Sequence, residues 1–178
     1  IMSDEGRAAA RSGPGAVMGS KNLKAVHVIA TEKRVPTPDT FPPVAKKTSQ
    51  YVLKHPRSQL IMEESTLFLM QTKQMIGDLP ARNHQSSSVP FIDNIDTKAF
   101  GKYWVKRKGC SSCPIRCSRR TELVDGDQTI GFEGPEYETA NAFGPMCWNG
   151  DPEVIIKANH LCNEYGMDTI SAGVTIAF

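Results

Sequence analysis

Three closely set cysteines, Cys110-Ser-Ser-Cys113-Pro-Ile-Arg-Cys117, are the residues of this chain best suited to chemistry. Gaps of two and then three residues let three thiolates converge in one short loop. Soft sulfur ligands in such a loop suit iron, so the pattern points first to an iron–sulfur cluster. Zinc is the next reading, because zinc sites more often use paired Cys-x-x-Cys arms about a dozen or more residues apart; a redox dithiol is the third. The stretch 97–121 contains no Asp or Glu, yet it carries Lys98, Lys102, Lys106, Arg107, Lys108, Arg116, Arg119 and Arg120. Cations of this kind stabilise an anionic cluster, raise its reduction potential and steer an acidic electron carrier towards it. A tetranuclear cluster needs a fourth ligand. Cys147, Cys162 and a residue outside this chain are the options, and Cys162 falls on the apolar stripe of a predicted helix, which favours a packed core role.

Carboxylates follow the cysteine loop. Glu133-Gly-Pro-Glu136-Tyr-Glu138-Thr139 sets three within six residues. Pro135 is expected in the first turn of a helix, with Glu136 and Glu138 pointing apart. Acidic residues at a helix start also serve the helix dipole. A carboxylate desolvated beside an anionic cofactor would have a raised pKa and could act as general acid or base. Near the N-terminus, Arg11-Ser-Gly-Pro-Gly-Ala-Val-Met-Gly-Ser-Lys21 lets backbone approach a ligand closely, with Arg11, Lys21 and Asn22 available to a phosphate. The glycine pattern is neither a Walker loop nor a dinucleotide fingerprint. His84 lies in a polar loop, where lone histidines are usually solvated, and His27, His55 and His160 show no ligand partners.

The elements that would position these groups read as mostly helical. Residues 23–30 alternate well enough for a strand. Residues 32–43 hold Pro36, Pro38, Pro42 and Pro43 and read as a linker. Val44, Thr48, Tyr51, Val52 and His55 then form one face of a helix begun by Pro42 and Pro43. A second apolar segment covers 60–76, and a third helix is expected over 97–108, leading into the cysteine loop. Residues 121–130 suit a short hairpin around Asp125-Gly126. Asp151-Pro152 opens a clear helix through Val154, Ile155, Ala158, Leu161, Cys162 and Tyr165; Gly166 stops it, and Asp168 suits the next N-cap.

The chain has 178 residues, 39% hydrophobic and 22% charged, which is ordinary for a globular protein. Its net charge of +2 fits nucleic-acid binding poorly. No apolar stretch approaches the ~18–20 residues of a membrane span. Clustered cysteines suggest metal ligation in a reducing cytoplasm rather than a secreted disulfide framework. Opening on Ile1 and stopping at Phe178 inside an apolar run, the chain reads as an internal fragment of a longer protein.

Five landmarks in order resemble the tungsten-containing aldehyde ferredoxin oxidoreductase family. They are Gly15-Ala-Val-Met-Gly-Ser-Lys-Asn-Leu-Lys-Ala-Val26, Leu79-Pro-Ala-Arg-Asn83, the cysteine loop, Glu133-Gly-Pro-Glu-Tyr-Glu-Thr139, and Leu161-Cys-Asn-Glu-Tyr-Gly-Met-Asp-Thr-Ile-Ser171. The resemblance implies a fragment of a three-domain α+β enzyme. Its parts are the end of a β-rich pterin-binding domain (1–35), a linker (36–43), and the mainly α first helical domain (44–178). It implies a [4Fe–4S] cluster on Cys110, Cys113 and Cys117, with the fourth cysteine in a second helical domain beyond Phe178. It also implies a tungsten or molybdenum bis-pterin held by Arg11, Asn163, Gly166 and Asp168, and an active-site glutamate at Glu136 or Glu138, of which Glu136 is favoured.

Two departures from the family pattern stand out. Arg11-Ser-Gly-Pro replaces Arg-Gly-Gly, and Asn163 replaces an aspartate. The implied activity is oxidation of a small aldehyde to a carboxylic acid with ferredoxin as acceptor. It would be cytoplasmic, without nucleic acid or membrane, and a homodimer is one candidate assembly of the full-length protein. The alternatives are a related tungsten or molybdenum reductase subunit acting on acids or aromatic thioesters, and a non-catalytic iron–sulfur or zinc module.

Overall fold

A computed structural model describes residues 1–3, 7–31 and 37–178. Helices dominate, with one small antiparallel sheet among them. Two very short strands, β1 (Met2–Ser3) and β2 (Arg7–Ala8), pair at the N-terminus. The glycine loop that follows is itself helical: α1 (Pro14–Ser20) starts after Gly13, whose φ of 70° is the left-handed conformation that glycine adopts without strain. Pro14 stands at the first helical position, where its missing N–H costs nothing because that donor has no intrahelical partner.

Residues 23–30 do not form the expected strand, and Val26, Val28 and Ile29 are 72–80% exposed. Alternation alone makes no strand when no neighbouring strand offers a hydrogen-bond ladder. The expected linker is described only from residue 37 onward, so Pro36 and residues 32–35 lie outside the described residues.

Helix α2 (Phe41–Lys54) forms where its two prolines place it, although Val44 and Tyr51 on its expected apolar face remain exposed. The apolar segment 60–76 is divided between α3 (Pro56–Glu64) and α4 (Phe68–Met75) by a short 3₁₀ turn at Ser65–Leu67. The break is at Ser65, whose φ is 56° and whose Oγ accepts from the Leu67 N–H at 3.2 Å. Local side-chain bonding of this kind competes with a continuing helix.

The expected helix over 97–108 is corrected to a short α5 (Thr97–Gly101), capped by Asp96 onto Ala99 N at 2.9 Å, followed by strand β3 (Trp104–Lys108). Strand β4 (Ser118–Asp125) supplies the ladder that wins over helix propensity there. Strand β5 (Gln128–Glu133) closes the expected hairpin on β4, with Gly126 in the left-handed conformation at its turn. The sheet order is β3–β4–β5.

Three helices complete the body: α6 (Tyr137–Phe143), α7 (Pro152–Glu164) and α8 (Thr169–Ala177). Asp151 caps α7 as expected, accepting from Glu153 N and Val154 N. At its other end Gly166, with φ 67°, lets Met167 N reach Cys162 O at 2.7 Å and Gly166 N reach Asn163 O at 3.3 Å, a Schellman closure. The core joins Leu67, Met70, Leu79, Ile95, Phe100, Tyr137, Phe143 and Ile155 across these elements. Cys162, 6% exposed, is part of it, as its place on the apolar stripe indicated. Among the described residues no helix is long and apolar enough to cross a membrane.

Helices α6 and α8 meet at Gly173, where an added Cβ would lie 2.7 Å from backbone atoms of Ala142. Gly173→Ala gains about 1 kcal/mol of helix propensity, but backbone cannot yield to the new methyl as a flexible side chain would. A net destabilisation of about 1–3 kcal/mol is expected from overpacking, measured by urea unfolding; an unchanged or raised midpoint would show the two helices free to separate.

Burial, followed by the negative charges of Glu138 and Asp78, pushes the Tyr137 phenol up to about 12. The unfolded phenol ionises near 10, so this stability is complete below about pH 10 and is lost as pH rises through about 12, a fall on the order of 2 kcal/mol. Urea midpoints at pH 9 and pH 11.5 should diverge in the native chain and converge in Tyr137→Phe; equal divergence in both would assign the loss to other groups.

Candidate functional site

A cleft of about 480 Å³ opens between the N-terminal segment and the helical body. Four elements supply its walls: the chain just after β2, the start of β4, the β5–α6 connection, and the α7–α8 corner. Four of the residues singled out by sequence come together here, Arg11, Glu136, Asn163 and Asp168. A fifth, Gly166, lies around the corner in a neighbouring depression shared with Gly15, Met18 and Leu23.

Asp168 caps α8, accepting from Ser171 N at 3.0 Å and from the Ser171 hydroxyl, and it also pairs with Arg11 Nη1 at 3.4 Å. Asn163 is buried on α7, and its Nδ2 donates to Asn159 O at 2.8 Å and Asn159 Oδ1 at 3.2 Å. Asn159 Nδ2 in turn donates to Glu133 O at 3.1 Å. An aspartate at 163 could not make these donations, so the amide suits its surroundings here.

Glu136 is not inside a helix, contrary to expectation. It is the N-cap residue of α6, and Pro135 stands before it, outside the helix. The physical reason is Thr66, on the 3₁₀ turn after α3. Its Oγ1 accepts from Tyr137 N at 3.0 Å and donates to the Glu136 carboxylate. One hydroxyl thereby satisfies a first-turn N–H of α6 and fixes the carboxylate. Glu138, in the first turn, is exposed and does not border the cleft.

The cysteine loop lies against the same region. Cys113 N donates to Cys110 O at 3.1 Å in a tight turn. Cys110 is exposed, while Cys113 and Cys117 are half-buried. Burial raises the Cys117 thiol pKa, and the nearby Glu136 carboxylate raises it further, as do Cys113 and Cys110. The three thiols and Glu136 therefore share one electrostatic neighbourhood. Among the described residues no group of three or more His, Cys, Asp or Glu side chains is arranged to hold a metal ion. Cys147 is engaged elsewhere, donating to Ala142 O at 3.2 Å and Gly173 O at 3.4 Å. Burial raises the pKa of both Cys147 and Cys162, which favours the protonated thiol over a ligating thiolate.

Sequence reasoning did not single out Thr66, Asn159 or Ser118. Asn159 and Asn163 stand four apart on a helix otherwise apolar on that face, a signal that could have been read. Thr66 acts across 70 residues, which no local pattern reveals. Ser118 borders the cleft immediately after Cys117, and its buried Oγ has no hydrogen-bond partner among the described residues. Amides, carboxylates and a guanidinium around one cleft fit a polar heterocycle with an anionic arm, such as a phosphorylated pterin.

Comparison with known proteins agrees with this architecture. The family model for "Aldehyde ferredoxin oxidoreductase, domains 2 & 3" matches residues 43–178, and the one for its N-terminal domain matches residues 1–30. Tungsten-containing aldehyde ferredoxin oxidoreductases of Pyrococcus furiosus and Pyrococcus horikoshii are each 39% identical over 99% of this chain. An aliphatic sulfonate oxidoreductase, WOR-like subunit, of Pyrococcus furiosus is 26% identical over the whole of it. The chain spans 29% of the length of each of these relatives. With both family models matched in order and the one for domains 2 & 3 covering most of its length, this chain belongs to the aldehyde ferredoxin oxidoreductase family.

Proposed function

We propose that the protein of which this chain is part oxidises small aldehydes to carboxylic acids in the cytoplasm and passes the electrons to ferredoxin. The observation that carries this reading is the cleft itself. It gathers Arg11, Glu136, Asn163 and Asp168 from opposite ends of the chain beside the cysteine loop. A bare iron–sulfur or zinc module would have no reason to bring Arg11 within 3.4 Å of Asp168. The relatives named as tungsten-containing support tungsten as the metal, with molybdenum as the alternative.

In this reading Arg11, Asn163, Gly166 and Asp168 hold a bis-pterin centre, which when bound would supply the two-electron redox chemistry. Overall, an aldehyde and water give a carboxylic acid, two protons and two electrons, and two oxidised ferredoxins take one electron each. Glu136 takes a proton from the water that adds to the carbonyl, and Thr66 fixes its carboxylate by a hydrogen bond. Cys110, Cys113 and Cys117 are three ligands of a [4Fe–4S] cluster, with the fourth elsewhere in the longer protein. The cations of 97–121 offset the cluster's charge, and those other than the buried Arg119 offer positive charge to an acidic carrier. The full-length protein is proposed to act as a homodimer.

Three measurements on the full-length protein, purified without oxygen, test this. Metal analysis should return about four iron atoms with one tungsten or molybdenum per chain; zinc alone would overturn the reading. Cys113→Ser should abolish ferredoxin reduction with the fold kept, whereas normal ferredoxin-linked turnover would remove the cluster from the electron path. Glu136→Gln should lower kcat by about 10²–10⁴-fold while leaving metal and pterin content unchanged. The same substitution at Glu138 should have a much smaller effect, and the reverse order would move the proton-transfer role to Glu138.

A further inference from the structure

A buried charge usually has an opposite charge beside it, because removing an ion from water is otherwise costly. Arg119 departs from that rule. The residue is 6% exposed, and its guanidinium stays protonated at any physiological pH. It donates to the carbonyls of Cys117, Ser118, Met62 and Glu63, all of them neutral acceptors. Among the described residues no carboxylate forms an ion pair with it. Glu136 lies within its electrostatic reach but is hydrogen-bonded to Thr66.

The position of the guanidinium indicates which anion would complete it. Arg119 Nη1 is 3.1 Å from the carbonyl oxygen of Cys117. Bond lengths within one residue then keep it roughly 8 Å or less from the sulfur. Cys117 in turn shares its electrostatic neighbourhood with Cys113 and Cys110. A cluster held by thiolates is anionic, so a buried cation without a carboxylate fits the group that these thiols would hold. The other cations of 97–121 are exposed or half-buried, where water and salt screen them. Arg119 is shielded, and the Trp104 ring covers one face of its guanidinium at 4.7 Å.

We propose that Arg119 is the buried counter-charge of the iron–sulfur cluster and raises its reduction potential. The inference rests on the functional reading above and extends it. Each electron on its way from the aldehyde to ferredoxin adds one negative charge beside Cys117. A fixed cation lowers the free energy of that reduced form. Arg119 acts across space, without touching the cluster. Four carbonyls and an aromatic ring set its place, so the charge stands ready in the empty chain.

The test uses the full-length protein, purified without oxygen, and its Arg119→Gln, Arg119→Lys and Trp104→Leu variants. Iron content and Tm are measured first. The midpoint potential is then followed by electron paramagnetic resonance at about 0.1 M and about 1 M salt. In Arg119→Gln the ratio of reduced to oxidised cluster at the native midpoint should fall about tenfold, a shift of about 59 mV for one electron. Arg119→Lys keeps the charge and should stay within about threefold of native. Trp104→Leu keeps the guanidinium but admits water, so its midpoint should fall by less and, unlike the native one, vary with salt. An unchanged midpoint in iron-loaded Arg119→Gln would overturn the proposal. An equal fall in Arg119→Lys would do so too, by assigning the effect to the lost fork rather than to charge. If Arg119→Gln loses its iron, Trp104→Leu decides: an unchanged, salt-independent midpoint there would leave Arg119 as an anchor of the fold alone. Absence of a cluster from the unsubstituted protein would overturn the functional reading itself, a result distinct from failure at Arg119.

Discussion

A buried guanidinium holds this arrangement together. Arg119, 6% exposed, donates to the carbonyls of Cys117 and Ser118 at 3.1 Å and to those of Met62 and Glu63 at 2.7 and 2.9 Å, with its face 4.7 Å over the Trp104 ring. Burying a cation is costly unless its donors are satisfied. Here two acceptors are the last carbonyls of α3, where the helix dipole is negative. Two more lie where the cysteine loop enters β4, and the aromatic face adds a further attraction. A lysine could not replace this fork, because a single ammonium cannot address two separated carbonyl pairs in one plane. Through Arg119, the end of α3, strands β3 and β4 and the exit of the cysteine loop share one anchor.

From that anchor the cleft follows as a sequence of fixed contacts. The end of α3, held by Arg119, leads into the left-handed Ser65, and the 3₁₀ turn presents Thr66 to the start of α6. Helix α6 meets α8 closely because residue 173 has no side chain. The start of α8 places Asp168 opposite Arg11. All of these links but the last are hydrogen bonds to backbone or steric contacts; the last is the ion pair of Asp168 with the exposed Arg11, a kind of contact that contributes little. Such a frame holds polar groups around a cleft without their collapsing onto one another.

What could be read from the sequence divides along the reach of the signal. The hairpin at Gly126, the caps at Asp151 and Asp168, and the end of α7 at Gly166 depend on residues within four or five positions, and all appear as expected. The strand β3, expected as helix, exists because β4 lies beside it. The strand expected over 23–30 does not form, and among the described residues no strand lies beside it. Pro135 was a fair signal for a helix start, but Thr66 decides which residue begins α6. The candidate site shows the same division: its charged members were visible as motifs, while Ser118, Thr66 and Asn159 acquire their places only from long-range packing.

The two departures from the family pattern have local explanations, and together they bear on how Arg11 can act. Pro14 falls where its missing N–H has no role, and Asn163 gives its amide to Asn159. Asparagine at 163 carries no charge, where the resemblance implies an aspartate, and Asp168 is the carboxylate paired with Arg11. That pair is uneven: the Arg11 side chain is 62% exposed, whereas Asp168 is 14% exposed and keeps its bonds to the N–H and hydroxyl of Ser171. If Arg11 turns to an incoming anion, Asp168 is not stranded, because its capping bonds remain. Little is lost when an exposed ion pair separates, and a bidentate contact to a phosphate gives more in return. The geometry thus holds Arg11 near the cleft mouth while leaving its guanidinium free to change partners.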